Sequence, residues 1–243
     1  MTSLLSSRPV PPRERLIVAL DVPNAADARR LVTSLGDAVV FYKLGLELAA
    51  TGSYFDLVDE LADTGKKLFL DLKLFDIPET VARAVRGLRE RRAQFLTVHY
   101  EGRVLEAAVR EKGELGILAV TLLTSIGADD LPDLGIAPEL TPADLAVARA
   151  RRAAAIGCEG VVLSPLEAAR VRAAVGPKLA IVTPGIRPDE GAGPKDDQRR
   201  VATPRAAFEA GADYIVVGRP IRDAADPRRV AGSIQDTIAQ LFA

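Results

Sequence analysis

Eight short runs of apolar, strand-forming residues recur along this chain, each followed by a longer segment of helical character, and that alternation leaves few folds open. The strand candidates are residues 16–21, 39–44, 67–72, 95–99, 117–121, 160–163, 180–183 and 214–217. Helix candidates fall between and after them at 25–35, 54–63, 78–91, 103–112, 142–156, 165–175, 204–210 and 227–242. Thr141, Ser164, Thr203 and Asp226 each precede a proline, which suits an N-cap followed by a proline in the first helical turn. Eight β/α units within 243 residues predict an α/β fold, a single closed (β/α)8 TIM barrel. A doubly wound open sheet is the competing architecture. It usually has fewer strands, and the first run here ends in LDVPN rather than in a G-x-G-x-x-G turn, which argues against a dinucleotide fold.

Composition narrows the classes of function. A chain with 48% hydrophobic residues can bury a substantial core, and one domain over residues 14–243 is expected. The formal net charge of -1 provides no general electrostatic case for nucleic-acid binding. No apolar run reaches the length of a membrane-spanning helix, so no membrane association is expected. Cys158 is the single cysteine, which excludes an internal disulfide and a two-thiol metal site and fits a reducing cytoplasm. The proline-containing start, MTSLLSSRPVPPRER, lacks the apolar core of a secretory signal. Residues 1–13 are expected to form a loose, flexible tail.

Within the third apolar run, LFLDLKLFDIP at 68–78 places charges where burial makes them costly, about 3 to 5 kcal/mol for a charge whose partner is missing. Strand alternation puts Phe69, Asp71 and Lys73 on one face, and Asp76 falls in the turn before Pro78, which suits a helix N-terminus. In a barrel, chemistry collects at the C-terminal ends of strands. Those ends supply Asp21, Lys43, Asp71 with Lys73, His99, Thr124 with Ser125, Ser164, Thr183 with Gly185, and Gly218 with Arg219. Only seven of the 32 basic residues are lysines, so Lys43 and Lys73 beside aspartate stand out as groups able to give up a proton, which arginine does not do. A structural ion-pair network is the competing explanation.

A second constellation lies downstream. Residues 183–204, TPGIRPDEGAGPKDDQRRVATP, are longer than an ordinary barrel connection and read as a lid, with Arg187, Gln198 and Arg199 as donors for a phosphate or a polar ring edge. Gly218 and Arg219 follow the last strand, where loops after strands seven and eight form the recurrent phosphate site of this architecture. A phosphorylated substrate is expected. No metal site is expected, because His99 is the single histidine and the strand-end carboxylates are interleaved with lysines, which disfavour a nearby divalent cation. Without histidine or cysteine in the DLKLFD cluster, lysine is the best proton-transfer candidate.

LIVALDV from Leu16, YKLGLE from Tyr42, FLDLKLFDIPET from Phe69, TVHYEG from Thr97, AVTLLTS from Ala119, VTPGIRP from Val182, DQRRVATP from Asp197 and ADYIVVGRPI from Ala212 together resemble the orotidine 5′-phosphate decarboxylase family, bacterial branch, over nearly the whole chain. The resemblance implies decarboxylation of orotidine 5′-phosphate to uridine 5′-phosphate without a cofactor, the last step of de novo pyrimidine nucleotide synthesis. It implies that Lys73 protonates C6 as CO2 leaves, that Asp71 faces the substrate carboxylate, and that Lys43 and Asp76 complete a chain of alternating charge. Asp21 and Lys43 would contact the ribose, Thr124 the pyrimidine edge, and Arg187, Gln198, Gly218 and Arg219 the phosphate. A homodimer is implied too, with Asp76 and Thr80 contributed to the neighbouring subunit's site. Phe75 departs from the histidine frequent there in relatives, and Tyr100 to Gly102 from the usual small residues. A related family of sugar-phosphate decarboxylases and aldolases shares the barrel and a D-x-K-x-x-D core but uses Mg²⁺. The third reading is a nucleotide-binding barrel without activity.

Overall fold

The structure, a computed structural model, describes residues 4–188 and 200–242. The apolar runs form eight strands among these residues: β1 Leu16–Ala19, β2 Phe41–Gly45, β3 Lys67–Leu74, β4 Phe95–His99, β5 Gly116–Val120, β6 Gly160–Val162, β7 Ala180–Thr183 and β8 Tyr214–Val217. Each pairs in parallel with the next, and β1 pairs with β8, so the sheet closes into the expected barrel. The connecting helices are α1 Ala25–Leu35, α2 Leu46–Ala49, α3 Tyr54–Asp63, α4 Pro78–Leu88, α5 Gly102–Glu111, α6 Pro142–Ile156, α7 Pro165–Val175, α8 Pro204–Glu209, α9 Arg219–Arg222 and α10 Pro227–Phe242.

Local chemistry sets the helix starts. Thr141, Ser164, Thr203 and Asp226 each accept a backbone N–H from the first turn of the following helix, satisfying donors that have no intrahelical partner. The differences from the expected bounds are small. Strand β3 runs on to Leu74, and α4 stops at Leu88, with a 3-10 turn Arg89–Arg91 before Arg92 enters the left-handed region at φ 55°. The short helices α2 and α9 carry too few residues for their periodicity to show in sequence.

Two apolar layers result from the period of two. Leu16, Val18, Leu68 and Leu70 point outward into the shell packed under the helices, while Ile17, Phe41, Phe69, Phe95 and Tyr214 point inward. The inward aromatics fill the N-terminal half of the barrel, with Phe41 and Phe95 ring centroids 5.6 Å apart and Phe95 edge-on to Tyr214 at 5.3 Å. That plug leaves the C-terminal mouth as the place for a site.

Of the expected loose tail, residues 1–3 lie outside the described residues, and from Leu4 onward the segment makes contacts with the barrel. Leu4 N–H donates to the Glu209 carbonyl at 3.2 Å, and the Arg8 guanidinium donates to the Lys178 carbonyl at 2.8 Å and pairs with Glu159 at 2.5 Å. Val10 packs on the inner aromatic layer. The Ser6 hydroxyl donates to the fully buried carboxylate of Asp213. These polar anchors hold the proline-rich start ahead of the 3-10 turn Pro12–Glu14.

Asp213 is also the partner of buried Arg172, at 2.5 Å, and accepts the Ile181 N–H at 2.7 Å. Arg172 further donates to the carbonyls of Gly211 and Leu179. Gly211 must be glycine: its φ is +99°, and a Cβ there would lie 2.9 Å from the Arg172 side chain. Among the described residues no helix is long and apolar enough to cross a membrane. Removing one member of a buried pair leaves an uncompensated charge, so Arg172→Ala is expected to cost about 3 to 5 kcal/mol. Denaturant unfolding checks this, with the KM of any measured activity unchanged.

Candidate active site

Strand register builds the mouth. Pairing of Ala19 with Lys43, and of Gly45 with Asp71, sets the ends of the first three strands side by side. Lys43 Nζ then lies 2.8 Å from Asp21 Oδ1 and 3.3 Å from Asp71 Oδ2, and Lys73 Nζ lies 2.8 Å from Asp71 Oδ1. The four side chains form a row of alternating sign. Gly45 was not singled out from the sequence, yet a Cβ there would fall 3.1 Å from Lys43 Nζ and 3.2 Å from Asp21 Oδ1, so its lack of a side chain keeps this row unobstructed.

Strand β3 is not regular where it matters. Its pairing with β4 proceeds through Leu70 opposite Leu96 and resumes at Leu74 opposite Val98, with a register shift between them. The bulge places Lys73 in the left-handed region at φ 47°, a conformation that costs an L-residue with a side chain about 1 to 2 kcal/mol. Phe69, Asp71 and Lys73 do share the barrel mouth, but the last arrives there through this bulge as well as through simple alternation.

Burial by itself would raise the Asp71 carboxyl. The Lys43 and Lys73 ammonium groups, with hydrogen bonds from Lys73 and the Thr97 hydroxyl, outweigh it and hold the carboxyl below the usual carboxylate range. Burial likewise acts to lower Lys43, but Asp71 and Asp21 hold it above the usual lysine value. Asp71 and Lys43 are thus each held in the charged form by their neighbours.

It forms one wall of a cavity of about 440 Å³ lined also by Thr124, Arg187, Gly218 and Arg219. The floor is apolar, from Ala19, Phe69, Val120, Val162 and Val216. Lysines, aspartates and arginines therefore line one cavity above this floor, which suits an anion bearing a polar ring. Gln198 and Arg199 fall in residues 189–199, outside the described residues, as does half of the expected lid. The ends of that segment are tied together by a bridge between Ile186 and Ala202.

Other expected residues lie elsewhere. Asp76 is exposed in the turn after β3, where its carboxylate accepts the N–H of Ile77 at 2.6 Å, and Thr80 is exposed in the first turn of α4. Neither lines the cavity of its own chain. Ser164 caps α7, and His99 stands edge-on to Phe75 at 5.9 Å, its pKa lowered first by burial and then by Lys73. Arg222 was missed. It lines the cavity and donates to the Asp21 carbonyl at 2.5 Å, and its position one helical turn after Arg219 was the clue available in sequence. Among the described residues no group of three His, Cys, Asp or Glu is placed to hold a metal ion.

Fold and site together define a (β/α)8-barrel protein of enzymatic type, with its polar machinery at the C-terminal mouth. The family model described as "Orotidine 5'-phosphate decarboxylase / HUMPS family" matches residues 14–234. The chain belongs to this family. A relative named orotidine 5′-phosphate decarboxylase from Methylococcus capsulatus is 54% identical over 243 residues, covering 100% of this chain and 99% of the relative. One of the same name from Rhodopseudomonas palustris (strain HaA2) is 52% identical, covering 94% of this chain and 96% of its own. The crystal structure of orotidine 5′-phosphate decarboxylase from Lactobacillus acidophilus superposes with a TM-score of 0.80 at 34% identity, covering 93% of this chain and 99% of that one.

A carboxyl held low in the folded protein contributes stability that is complete above the ordinary value of about 4 and is lost as pH falls through its depressed value. The raised Lys43 does the converse, its contribution complete below about 10.4 and lost as pH rises through the raised value. Asp71→Asn is expected to cost about 3 kcal/mol near neutrality. Unfolding measured across pH should show that deficit shrinking below about pH 4.

Proposed function

We propose that this protein decarboxylates orotidine 5′-phosphate to uridine 5′-phosphate and CO2, the last step of de novo pyrimidine nucleotide synthesis, in the cytoplasm. The observation that carries this reading is the row Asp21, Lys43, Asp71 and Lys73 lining one cavity with Arg187 and Arg219. The family membership and the relatives' names point the same way.

In this reading the carbon–carbon bond to the carboxylate breaks, and its electron pair stays on C6 of the pyrimidine. The Lys73 ammonium, already fixed by Asp71, stabilises that charge and delivers a proton to it. Preorganised charge in a water-poor site needs little rearrangement as the carbanion develops. Asp71 faces the departing carboxylate. Asp21 and Lys43 hold the ribose, Thr124 meets the pyrimidine edge, and Arg187, Gln198, Gly218 and Arg219 hold the phosphate, whose binding energy orients the distant ring. No metal or organic cofactor takes part, since two ammonium groups supply the positive charge a cation would bring.

The active form is a homodimer. Asp76 sits between Phe75 and Ile77, which are 67% and 66% exposed, and apolar side chains so exposed beside a carboxylate suit coverage by a second copy. Asp76 and Thr80 then complete the neighbour's site.

Purified protein is expected to convert orotidine 5′-phosphate to uridine 5′-phosphate at the same rate with and without a chelator, followed by ultraviolet absorbance; absence of turnover would overturn the reading. Lys73→Ala is expected to lower kcat by at least about 10³-fold while leaving a folded protein. Asp76→Ala should also be inactive alone. Unfolding and refolding the two inactive variants together should restore about a quarter of wild-type activity, because half the dimers are mixed and each has one intact site.

A further inference from the structure

We propose that Thr97 is a positioning residue that holds Lys73 in its working place, an inference that rests on the decarboxylase reading above. Thr97 lies on β4, fully buried and 0% exposed. Its Oγ1 accepts the Lys73 backbone N–H at 3.0 Å and donates to Asp71 Oδ1 at 2.9 Å.

The direction of both bonds follows from chemistry. An ionised carboxylate only accepts and a backbone N–H only donates, so the single hydroxyl proton must point to Asp71 and a lone pair must face Lys73. Asp71 Oδ1 in turn accepts from Lys73 Nζ at 2.8 Å. The circuit closes: Lys73 N–H to Thr97 Oγ–H to Asp71 Oδ1 and back to the Lys73 ammonium. One lysine is thereby gripped at its backbone and at its tip through one hydroxyl and one carboxylate oxygen.

The bulge explains why such a grip is needed. Between Leu70 and Leu74 the register of β3 against β4 shifts, so Lys73 sits where the regular strand-to-strand ladder is interrupted, and the Thr97 hydroxyl receives its N–H. The left-handed backbone of Lys73, at φ 47°, persists only where its surroundings over-determine it. Thr97 supplies that determination and orients the Asp71 carboxylate in the same act. Serine keeps the hydroxyl, whereas valine keeps the shape and removes it.

Steady-state kinetics on the wild type, Thr97→Ser and Thr97→Val test this. Thr97→Val is expected to lower kcat by about 10- to 100-fold, as for a displaced catalytic group, with the KM for orotidine 5′-phosphate and the affinity for uridine 5′-phosphate within about threefold of wild type. Thr97→Ser should keep kcat within about threefold of wild type. Equal kcat for serine and valine variants, or a valine variant whose loss lies in KM, would overturn the proposal. Hydrogen exchange at the Lys73 amide provides a readout independent of turnover: exchange should quicken in Thr97→Val and stay slow in Thr97→Ser. If the wild type itself has no turnover, the decarboxylase reading fails and exchange alone decides whether Thr97 holds the Lys73 backbone. Should the valine variant not fold, Thr97→Ala carries the same two comparisons.

Discussion

The carboxylate of Asp71 is the point on which the mouth of this barrel depends. It is buried, and a buried carboxylate left alone is untenable at neutral pH. Two ammonium groups, one from the preceding strand and one from its own, resolve that cost from opposite sides, at 3.3 and 2.8 Å. Lys43 is paired on its far side with Asp21, so the row alternates acidic and basic groups along its length. An ammonium fixed in this way can meet a developing negative charge without first moving to it. The pairing also ties the site to topology, because Lys43 reaches Asp71 only when β2 and β3 lie parallel in the observed register.

The barrel separates stability from chemistry along its axis. Below the site, aromatic rings fill the interior, and the N-terminal segment closes the face through Ser6, Arg8 and Val10. The Arg172–Asp213 pair belongs to this lower end and is satisfied by neighbouring backbone groups. This pair does not line the mouth cavity and holds elements together. The same types of side chain at the upper end line a cavity floored by small and branched apolar residues. Position along a strand thus decides whether an ion pair is enclosed by backbone or lines the mouth cavity, and residue type does not.

Much of this was legible in sequence because it is encoded locally. Apolar runs of strand length separated by capped helices specify the barrel, and LFLDLKLFDIP marks the site because charge inside an apolar strand demands a reason. What was not legible depends on tertiary registration. The bulge at Lys73 arises from the mismatch of β3 with β4, and neither strand shows it alone. Gly45 matters only because two side chains from different strands converge beside it. Arg222 is a basic residue among many until α9 turns it toward Asp21. The contacts of Ser6 and Arg8 escaped for the same reason, since their partners, Glu159, Lys178 and Asp213, are distant in sequence.

The stretch from Asp71 to Asp76 turns from the interior of the barrel to its surface. Asp71 and Lys73 face the cavity, while Phe75, Asp76 and Ile77 face outward, and the bulge lies within this change of direction. Under the proposed dimer, one continuous segment supplies two members of its own row and one of its neighbour's. That arrangement makes the separation of sites within the dimer short and fixed by local backbone geometry. It also explains why polar and apolar residues alternate so tightly there: a carboxylate carried to another subunit must be surrounded by side chains that the other subunit covers, and Phe75 and Ile77 supply that covering surface. The density of constraints in this one segment follows from its serving a strand, a site and an interface at once.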